Sequence, residues 1–292
     1  MKILFLIASL IGSIFAKVTI LQELHLDNIK FKNAPFSEIS DLAYDRNSKI
    51  LYMISDKGIL YKFRATFDNK VHLKPLSATY LKRKNGKKIK KWKRDSEGLA
   101  LDKKGNLYIS FEGKPKIAKF SKNGIKIKNL KLPKALKKAK LRSRNKSLES
   151  LAYHPKYGLL TALEYPPKGV KKCNQTIYSL NTKKWRVKLE PFKNCAISEI
   201  ETLDDGNLLI LERAYSGMFG RFVVTLKKLY INGCKSNSYC KSEVIFQIDS
   251  YKDDYIENYE GLANLGDNRF LLISDDNDNF FQSTHLIYFK ID

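Results

Sequence analysis

The feature that most constrains this chain is a phrase that returns five times along it. Its fullest form runs from Asp95 to Glu112: a polar or acidic start, the short apolar run Gly98-Leu99-Ala100-Leu101, a Lys104-Gly105-Asn106 turn, and a second apolar run that ends on a carboxylate. Alternating short apolar runs around a Gly-Asn turn read as a β-hairpin. The phrase recurs as Ser40-Asp41-Leu42-Ala43-Tyr44 with residues 50–56, as Glu149-Ser150-Leu151-Ala152-Tyr153 with 158–164, as Glu199-Ile200-Glu201-Thr202-Leu203 with 207–212, and as Glu260-Gly261-Leu262-Ala263 with 269–275. Its register begins at positions 40, 97, 149, 199 and 260, so the period is 50 to 61 residues. A period of that size marks an array of supersecondary units.

Each interior period has room for two more strands after the hairpin: residues 59–67 and 71–75, 116–121 and 125–132, 176–181 and 184–190, 221–231 and 243–248. Four antiparallel strands per period point to an all-β fold, a β-propeller, because radial repetition leaves few exposed sheet edges. A β-sandwich of duplicated hairpins is the alternative. Five blades are counted directly, and a sixth would have to come from residues 77–92 or an irregular blade. The lone run Val18 to Leu26 precedes the first repeat, and His285 to Ile291 follows the last hairpin as a third strand. Pairing the two termini completes a fourth strand and closes the ring.

The chain opens with Met1-Lys2, an apolar run from Ile3 to Phe15 and Ala16, the layout of a signal peptide occupying residues 1–16, with an uncleaved N-terminal anchor as the alternative. No later stretch approaches the roughly 20 apolar residues of a transmembrane helix. Residues 17–292 are then one exported domain, periplasmic or secreted. Cys173, Cys195, Cys234 and Cys240 lack the CxxC spacing of a zinc site, and in an exported chain they read as disulfides. The propeller topology puts Cys173 and Cys195 in loops on one face and brackets a single loop of the opposite face with Cys234 and Cys240, so the pairing that keeps each bridge on one face is 173–195 with 234–240.

If the first strand of each blade lines a central channel, its start and the end of the second strand share one rim. Glu97, Glu149, Glu199 and Glu260, with Ser40 in the first blade, form an inner ring there. Asp56, Glu112, Glu164, Glu212 and Asp275 form a ring just outside it. Carboxylates gathered this closely raise one another's pKa and call for a counter-charge. Calcium, which takes six to eight oxygen ligands, answers that need, and Asp275-Asp276-Asn277-Asp278-Asn279 is the densest run of oxygen donors. The alternative is that each carboxylate staples neighbouring blades through backbone amides or an arginine.

The formal net charge is +24, which suits polyanionic partners such as phosphorylated small molecules, an anionic membrane surface or nucleic acid; a lysine-rich background is the competing explanation. Nine of the fourteen residues from Leu81 to Arg94 are Lys or Arg, as are eight of the sixteen from Lys131 to Lys146. Both runs lead toward the carboxylate rim, as does a third loop with Lys168, Lys171 and Lys172, and together they make a cationic collar. Pro133 followed by Ala135, Leu136 and Ala139 predicts a short helix inside the second run. Arg213 and Arg221 flank the loop 214–220 and are candidate anion-binding groups, since Arg grips phosphate through two parallel hydrogen bonds; pairing with Glu212 or Glu201 is the other possibility.

The fragments Asp95-Ser96-Glu97-Gly98-Leu99-Ala100, Leu148-Glu149-Ser150-Leu151-Ala152, Ile197-Ser198-Glu199-Ile200-Glu201, Leu211-Glu212-Arg213 and Tyr259-Glu260-Gly261-Leu262-Ala263 resemble the phytase-like family of exported bacterial proteins, described as having the esterase-like activity of phytase. Ser40-Asp41 stands where that family has Ser-Gly. The resemblance covers about Phe36 to the C-terminus and implies a propeller hydrolase of phosphoesters or related esters, calcium-dependent as in β-propeller phytases. The alternative is a non-enzymatic propeller that binds an acidic or phosphorylated partner through its cationic face. Other enzyme classes find no support: no Gly-x-Ser-x-Gly elbow is present, and His25, His72, His154 and His285 do not converge as a set in this topology. Nucleic-acid binding is not expected, because only Tyr80 and Trp92 interleave with the basic runs.

Overall fold

The computed structural model describes residues 18–90, 94–143, 146–217, 220–253, 256–279 and 282–292. The signal-peptide reading of residues 1–16 and Trp92 fall outside them. Five four-stranded antiparallel sheets form the expected β-propeller, and among the described residues there is no sixth blade. Blade 1 comprises β2 (Ile39–Asp45), β3 (Ile50–Ser55), β4 (Ile59–Phe67) and β5 (Val71–Tyr80). Blade 2 comprises β6 (Ser96–Leu101), β7 (Leu107–Phe111), β8 (Lys116–Phe120) and β9 (Lys126–Asn129). Blade 3 comprises β10 (Leu148–His154), β11 (Gly158–Leu163), β12 (Asn174–Ser179) and β13 (Lys184–Lys188). Blade 4 comprises β14 (Cys195–Thr202), β15 (Leu208–Tyr215), β16 (Phe222–Leu229) and β17 (Ser242–Asp249).

Blade 5 closes the ring as the terminal runs predict. β18 (Tyr259–Gly266), β19 (Arg269–Ser274) and β20 (His285–Ile291) come from the C-terminus, and β1 (Val18–His25) pairs antiparallel with β20 from Val18↔Ile291 to His25↔His285. The hairpin turns obey the residue chemistry: Gly105 and Gly206 sit at positive φ, and Asp267-Asn268 supplies two consecutive positive-φ residues, the geometry of a tight hairpin turn. The short helix α1 (Lys134–Lys137) follows Pro133, as expected.

The core lies between the blades. Five apolar clusters fill the five blade-to-blade interfaces, each drawing residues from two neighbours, such as Ile54 and Leu60 against Leu99 and Ile109, or Ala152 and Trp185 against Ile197 and Ile210. Near the axis the packing is too tight for a side chain at two of the repeated positions. A Cβ on Gly98 would come within 2.6 Å of the Leu151 nitrogen, and one on Gly261 within 2.8 Å of the Asp41 Cα. The glycine of the Glu-Gly-Leu-Ala phrase is therefore a packing requirement of adjacent inner strands.

Both disulfides form in the expected pairing, with Cα separations of 5.5 Å for Cys173–Cys195 and 5.6 Å for Cys234–Cys240. The first ties the loop after β11 to the start of β14 and so links blades 3 and 4. Among the described residues no helix is long and apolar enough to cross a membrane.

Candidate functional site

A β-bulge builds the mouth of the channel. Each inner strand slips register once near its start, between Ile39 and Asp41, Ser96 and Leu99, Leu148 and Ser150, Ile197 and Glu199, and Tyr259 and Gly261. A bulge turns the extra residue out of the ladder, and here it aims Ser40, Glu97, Glu149 and Glu260 at the channel opening. The residue just after the second strand supplies Asp56, Glu112, Glu164 and Asp275. These eight residues, with Asp95, Lys146 and Arg213, line a polar cavity of ≈ 260 Å³.

Two expected ring members are elsewhere, for reasons that lie in register. In blade 4 the slip leaves out Ser198, so Glu199 stays in the ladder opposite Leu211 and points down the channel. Its Oε1 accepts hydrogen bonds from the Leu151 and Ile200 amides, at 3.0 and 2.7 Å. Likewise Glu212 is paired with Ile197, the place that Leu163 takes against Leu148 and Ser274 against Tyr259, one residue short of the mouth. Its carboxylate faces the buried Lys227 at 3.1 Å and accepts the Glu190 amide at 2.8 Å, between blades. The next residue, Arg213, enters the mouth instead.

Arg213 is the hub of that mouth. One nitrogen donates to Asn258 Oδ1 at 2.7 Å and to Glu260; the other faces Glu164 at 3.3 Å and Glu149 at 3.9 Å. Lys146 Nζ lies 3.0 Å from Glu164 and over the Tyr165 ring. Arg213 thus pairs with ring carboxylates, neither Glu212 nor Glu201. Arg221 is held bidentately by Asp249, between the Phe192 and Tyr251 rings, and lines neither the mouth nor the cleft beside it.

Two cations cannot neutralise the seven Glu and Asp side chains of the mouth other than Asp95, and burial adds to the cost of their charge. Burial, reinforced by Glu112, Glu260, Asp95 and Asp56, pushes Glu97 well above the usual range. Burial and the neighbouring Glu164, Glu97 and Glu112 do the same to Glu149. Burial raises Glu112 to about 7 against a hydrogen bond from the Ser147 amide, and burial with Glu38 and Asp95 raises Asp56 to about 7. Asp275 is pushed up to about 9 by burial and by Glu260.

Ligating oxygens come together in two trios, Asp95–Glu97–Glu112 and Glu112–Glu149–Glu164, each within 4.8 Å. Glu112 belongs to both. Asp56 Oδ1 is buried with no hydrogen-bond partner. The Asp275–Asn279 run does not act as one ligand loop: Asp276 accepts the Glu38 amide and the Thr284 hydroxyl, Asp278 pairs with Lys57, and only Asp275 reaches the mouth. Asp95, two residues before Glu97, was legible as part of the repeated phrase but stands apart from both expected rings.

Beside the mouth a cleft of ≈ 1160 Å³ shares Lys146, Glu164 and Arg213 with it. Tyr165, Tyr215 and Phe222 wall the cleft, Asn194 and Asn258 bring amides, and Arg142 and Lys172 add positive charge. The collar is thus half of what the basic runs suggested. The 131–146 run and Lys172 reach the site, whereas the described part of the 82–94 run lines neither cavity.

Deeper in the channel lies a carboxyl pair that the repeat did not reveal. Asp41 occupies the column where Gly98 and Gly261 stand in other blades. It accepts the Leu42 amide at 2.7 Å, the Leu99 amide at 2.5 Å and the Leu262 amide at 3.3 Å, and hydrogen-bonds Glu199. With Leu151 and Ile200 on Glu199, the inner strands of all five blades donate to this one pair. Burial holds both carboxyls well above their ordinary range. His25 and His285 stack at 4.7 Å in blade 5, with Tyr259 at 2.8 Å from His285, while His72 and His154 lie on other blades.

The profile of the phytase-like family, described as esterase-like activity of phytase, matches residues 34–278. No curated protein sequence matches the chain. Among solved structures, the PQQ-bound aldose sugar dehydrogenase of Streptomyces coelicolor aligns at 12% identity and a TM-score of 0.48, covering 95% of this chain and 99% of that one. Virginiamycin B lyase of Staphylococcus aureus aligns at 10% identity and a TM-score of 0.42, covering 94% and 100%.

Proposed function

This chain belongs to the phytase-like family, and from that membership and the chemistry of its channel mouth we propose that it is an exported, calcium-dependent hydrolase of phosphoesters or related esters. The observation that carries the reading is Glu112, shared by two carboxylate trios in a cavity that opens onto a cation-bearing cleft. Export rests on the sequence of residues 1–16 and is supported by two disulfides.

The residues present fit a hard divalent cation. The donors at the mouth are all oxygens, which suits calcium or magnesium and not a thiolate- or imidazole-seeking metal. Asp56 Oδ1 lacks a partner, and burial together with neighbouring carboxylates raises Glu97, Glu149 and Glu112. Asp95, Glu97, Glu112, Glu149 and Glu164 would hold the ion, with Glu260, Asp56 and Asp275 close by. Bound there, calcium would neutralise the carboxylates and polarise a phosphoryl oxygen. The role of Glu199 and Glu212 in such a site is at most indirect, through the channel pair and Lys227.

The protein's own groups do the rest. Lys146 and Arg213 stand at the boundary of mouth and cleft, where they can hold the remaining phosphate charge. Arg142 and Lys172 extend that field along the cleft. Tyr165, Tyr215 and Phe222 give the alcohol portion of the ester an apolar wall. Arg213 also fixes Glu149, Glu164 and Glu260 relative to one another, so the mouth is preorganised before substrate arrives.

Turnover tests the reading. The chain from Lys17 onward is expected to release phosphate from a phosphomonoester panel with calcium and to stop with chelator; Glu112→Gln should remove activity while leaving the fold. Binding of the same esters without any turnover, unaffected by chelator, would replace this reading with a non-enzymatic propeller that binds phosphorylated partners.

A further inference from the structure

The positive charge of this protein is local. Residues 70–142 hold 25 of its 54 Lys and Arg but only four of its 30 Asp and Glu. The other 219 residues are nearly balanced, with 29 basic and 26 acidic side chains. A lysine-rich background would spread its excess over all five blades, so background does not explain this one. The stretch is the outer strand of blade 1, the whole of blade 2 and the chain leading to blade 3. Of its four acids, Asp95, Glu97 and Glu112 are turned into the mouth, and Asp102 is held in its own hairpin turn by Asn106 and Tyr108. The outside of blade 2 therefore has almost no negative charge.

Local pairing makes this excess one surface. Residues 82–88 turn back on themselves, Lys82 against Lys88, and the turn docks on the β8–β9 hairpin: the Lys82 amide donates to Gly124 O at 2.8 Å and the Lys126 amide to Lys82 O at 2.9 Å. Lys82, Lys84, Lys87, Lys126 and Lys128 thus lie along one outer edge. Among the described residues, no Lys or Arg from 82 to 90 or from 126 to 140 has a carboxylate partner. Close to them are Ile125 and Ile127, 39% and 46% exposed, where the β8–β9 ladder skips Ile127. Leu76 on β5 is likewise exposed. Of the 25 basic residues 22 are lysines, and every large apolar side chain exposed on the described part of this stretch is aliphatic.

We propose that the blade 2 flank docks the protein onto an anionic lipid surface. Lysines screen headgroup charge without needing directed hydrogen bonds, and clustered lysines bind anionic bilayers through their summed field. Unpaired aliphatic side chains within such a field suit the apolar boundary beneath the headgroups. A nucleic acid would instead be met by arginines and by aromatic platforms for the bases, and the ring of Tyr80 is already covered by Lys88 at 4.1 Å. Docking by the flank leaves the channel mouth, at the end of the axis, open to substrate.

The test is co-sedimentation of residues 17–292, which contain the complete closed ring, with phosphatidylcholine vesicles made with or without phosphatidylglycerol. Binding is expected only with the anionic lipid, and is expected to vanish near about 1 M salt, where the screening length falls to ~3 Å. Replacing Lys82, Lys84, Lys87, Lys126 and Lys128 with Gln should lower the affinity at least tenfold. Ile125→Asn with Ile127→Asn should lower it several-fold without changing the salt dependence. Both variants should keep wild-type turnover of a soluble phosphomonoester, so failure here and failure of the hydrolase reading are separable. Equal binding to neutral vesicles, or no effect of the lysine replacements, overturns the proposal. Duplex DNA bound more tightly than the anionic vesicles, with the isoleucine variant unaffected, overturns it in favour of a nucleic-acid surface.

Discussion

Arg213 shows how one residue can be decisive at the centre of this fold. Its side chain is 19% exposed and faces Glu149, Glu164 and Glu260. Removing one partner of a buried ion-pair network leaves uncompensated charge and costs about 3–5 kcal/mol, so Arg213→Met should lower stability by that order in urea titration, and a loss below about 1 kcal/mol would show that the carboxylates reprotonate freely. The channel pair gives a pH prediction. Asp41 and Glu199 have raised folded values, so the stability they contribute is complete below about pH 4, the unfolded range, and is lost as pH rises through those values. Glu199→Gln should flatten the alkaline decline of the melting temperature. The mouth carboxyls decline in the same direction, with Glu112 and Asp56 near 7 and Asp275 near 9. Calcium should suppress their share and leave that of the channel pair. Identical pH profiles for wild type and Glu199→Gln, both in calcium, would contradict the assignment.

At the scale of the element, the strands were easy to read and the local register was not. Hairpins, turns and the terminal closing strands follow from alternation and turn residues, which act over two to eight positions. In blade 4 the bulge falls at Ser198 and the residue just past the common strand end is Arg213, so Glu199 and Glu212 each sit one position off the mouth, and nothing in their immediate sequence records this. Asp41 was visible as a departure from the repeated glycine, but its bonds run to Leu99 and Leu262, 58 and 221 residues away. The glycines of the repeat can be tested directly. Gly98→Ala and Gly261→Ala each press a methyl onto neighbouring backbone, and overpacking of this kind costs about 1–3 kcal/mol. Unchanged melting in both would mean that the inner strands can move apart, contrary to the close approach seen between blades.

For the whole molecule, the ring gathers at one end of its axis what the sequence spreads over more than 200 residues. Three inner strands and the ends of four second strands carry the carboxylates to the mouth, and the inner strands fix their spacing by packing on one another. The charge excess is arranged the other way, confined to one flank, so that the catalytic candidates and the cationic surface are separate parts of the molecule. Calcium calorimetry at pH 8 on the wild type, Glu112→Gln and Glu212→Gln bears most directly on the proposed mouth. Calcium should bind the wild type within the about 10⁻⁴–10⁻³ M range of extracellular sites, bind more weakly at pH 5 because protons compete, lose its heat in Glu112→Gln and keep it in Glu212→Gln. No binding up to about 10 mM, or binding that survives in Glu112→Gln, would contradict the assignment of the mouth as the calcium site.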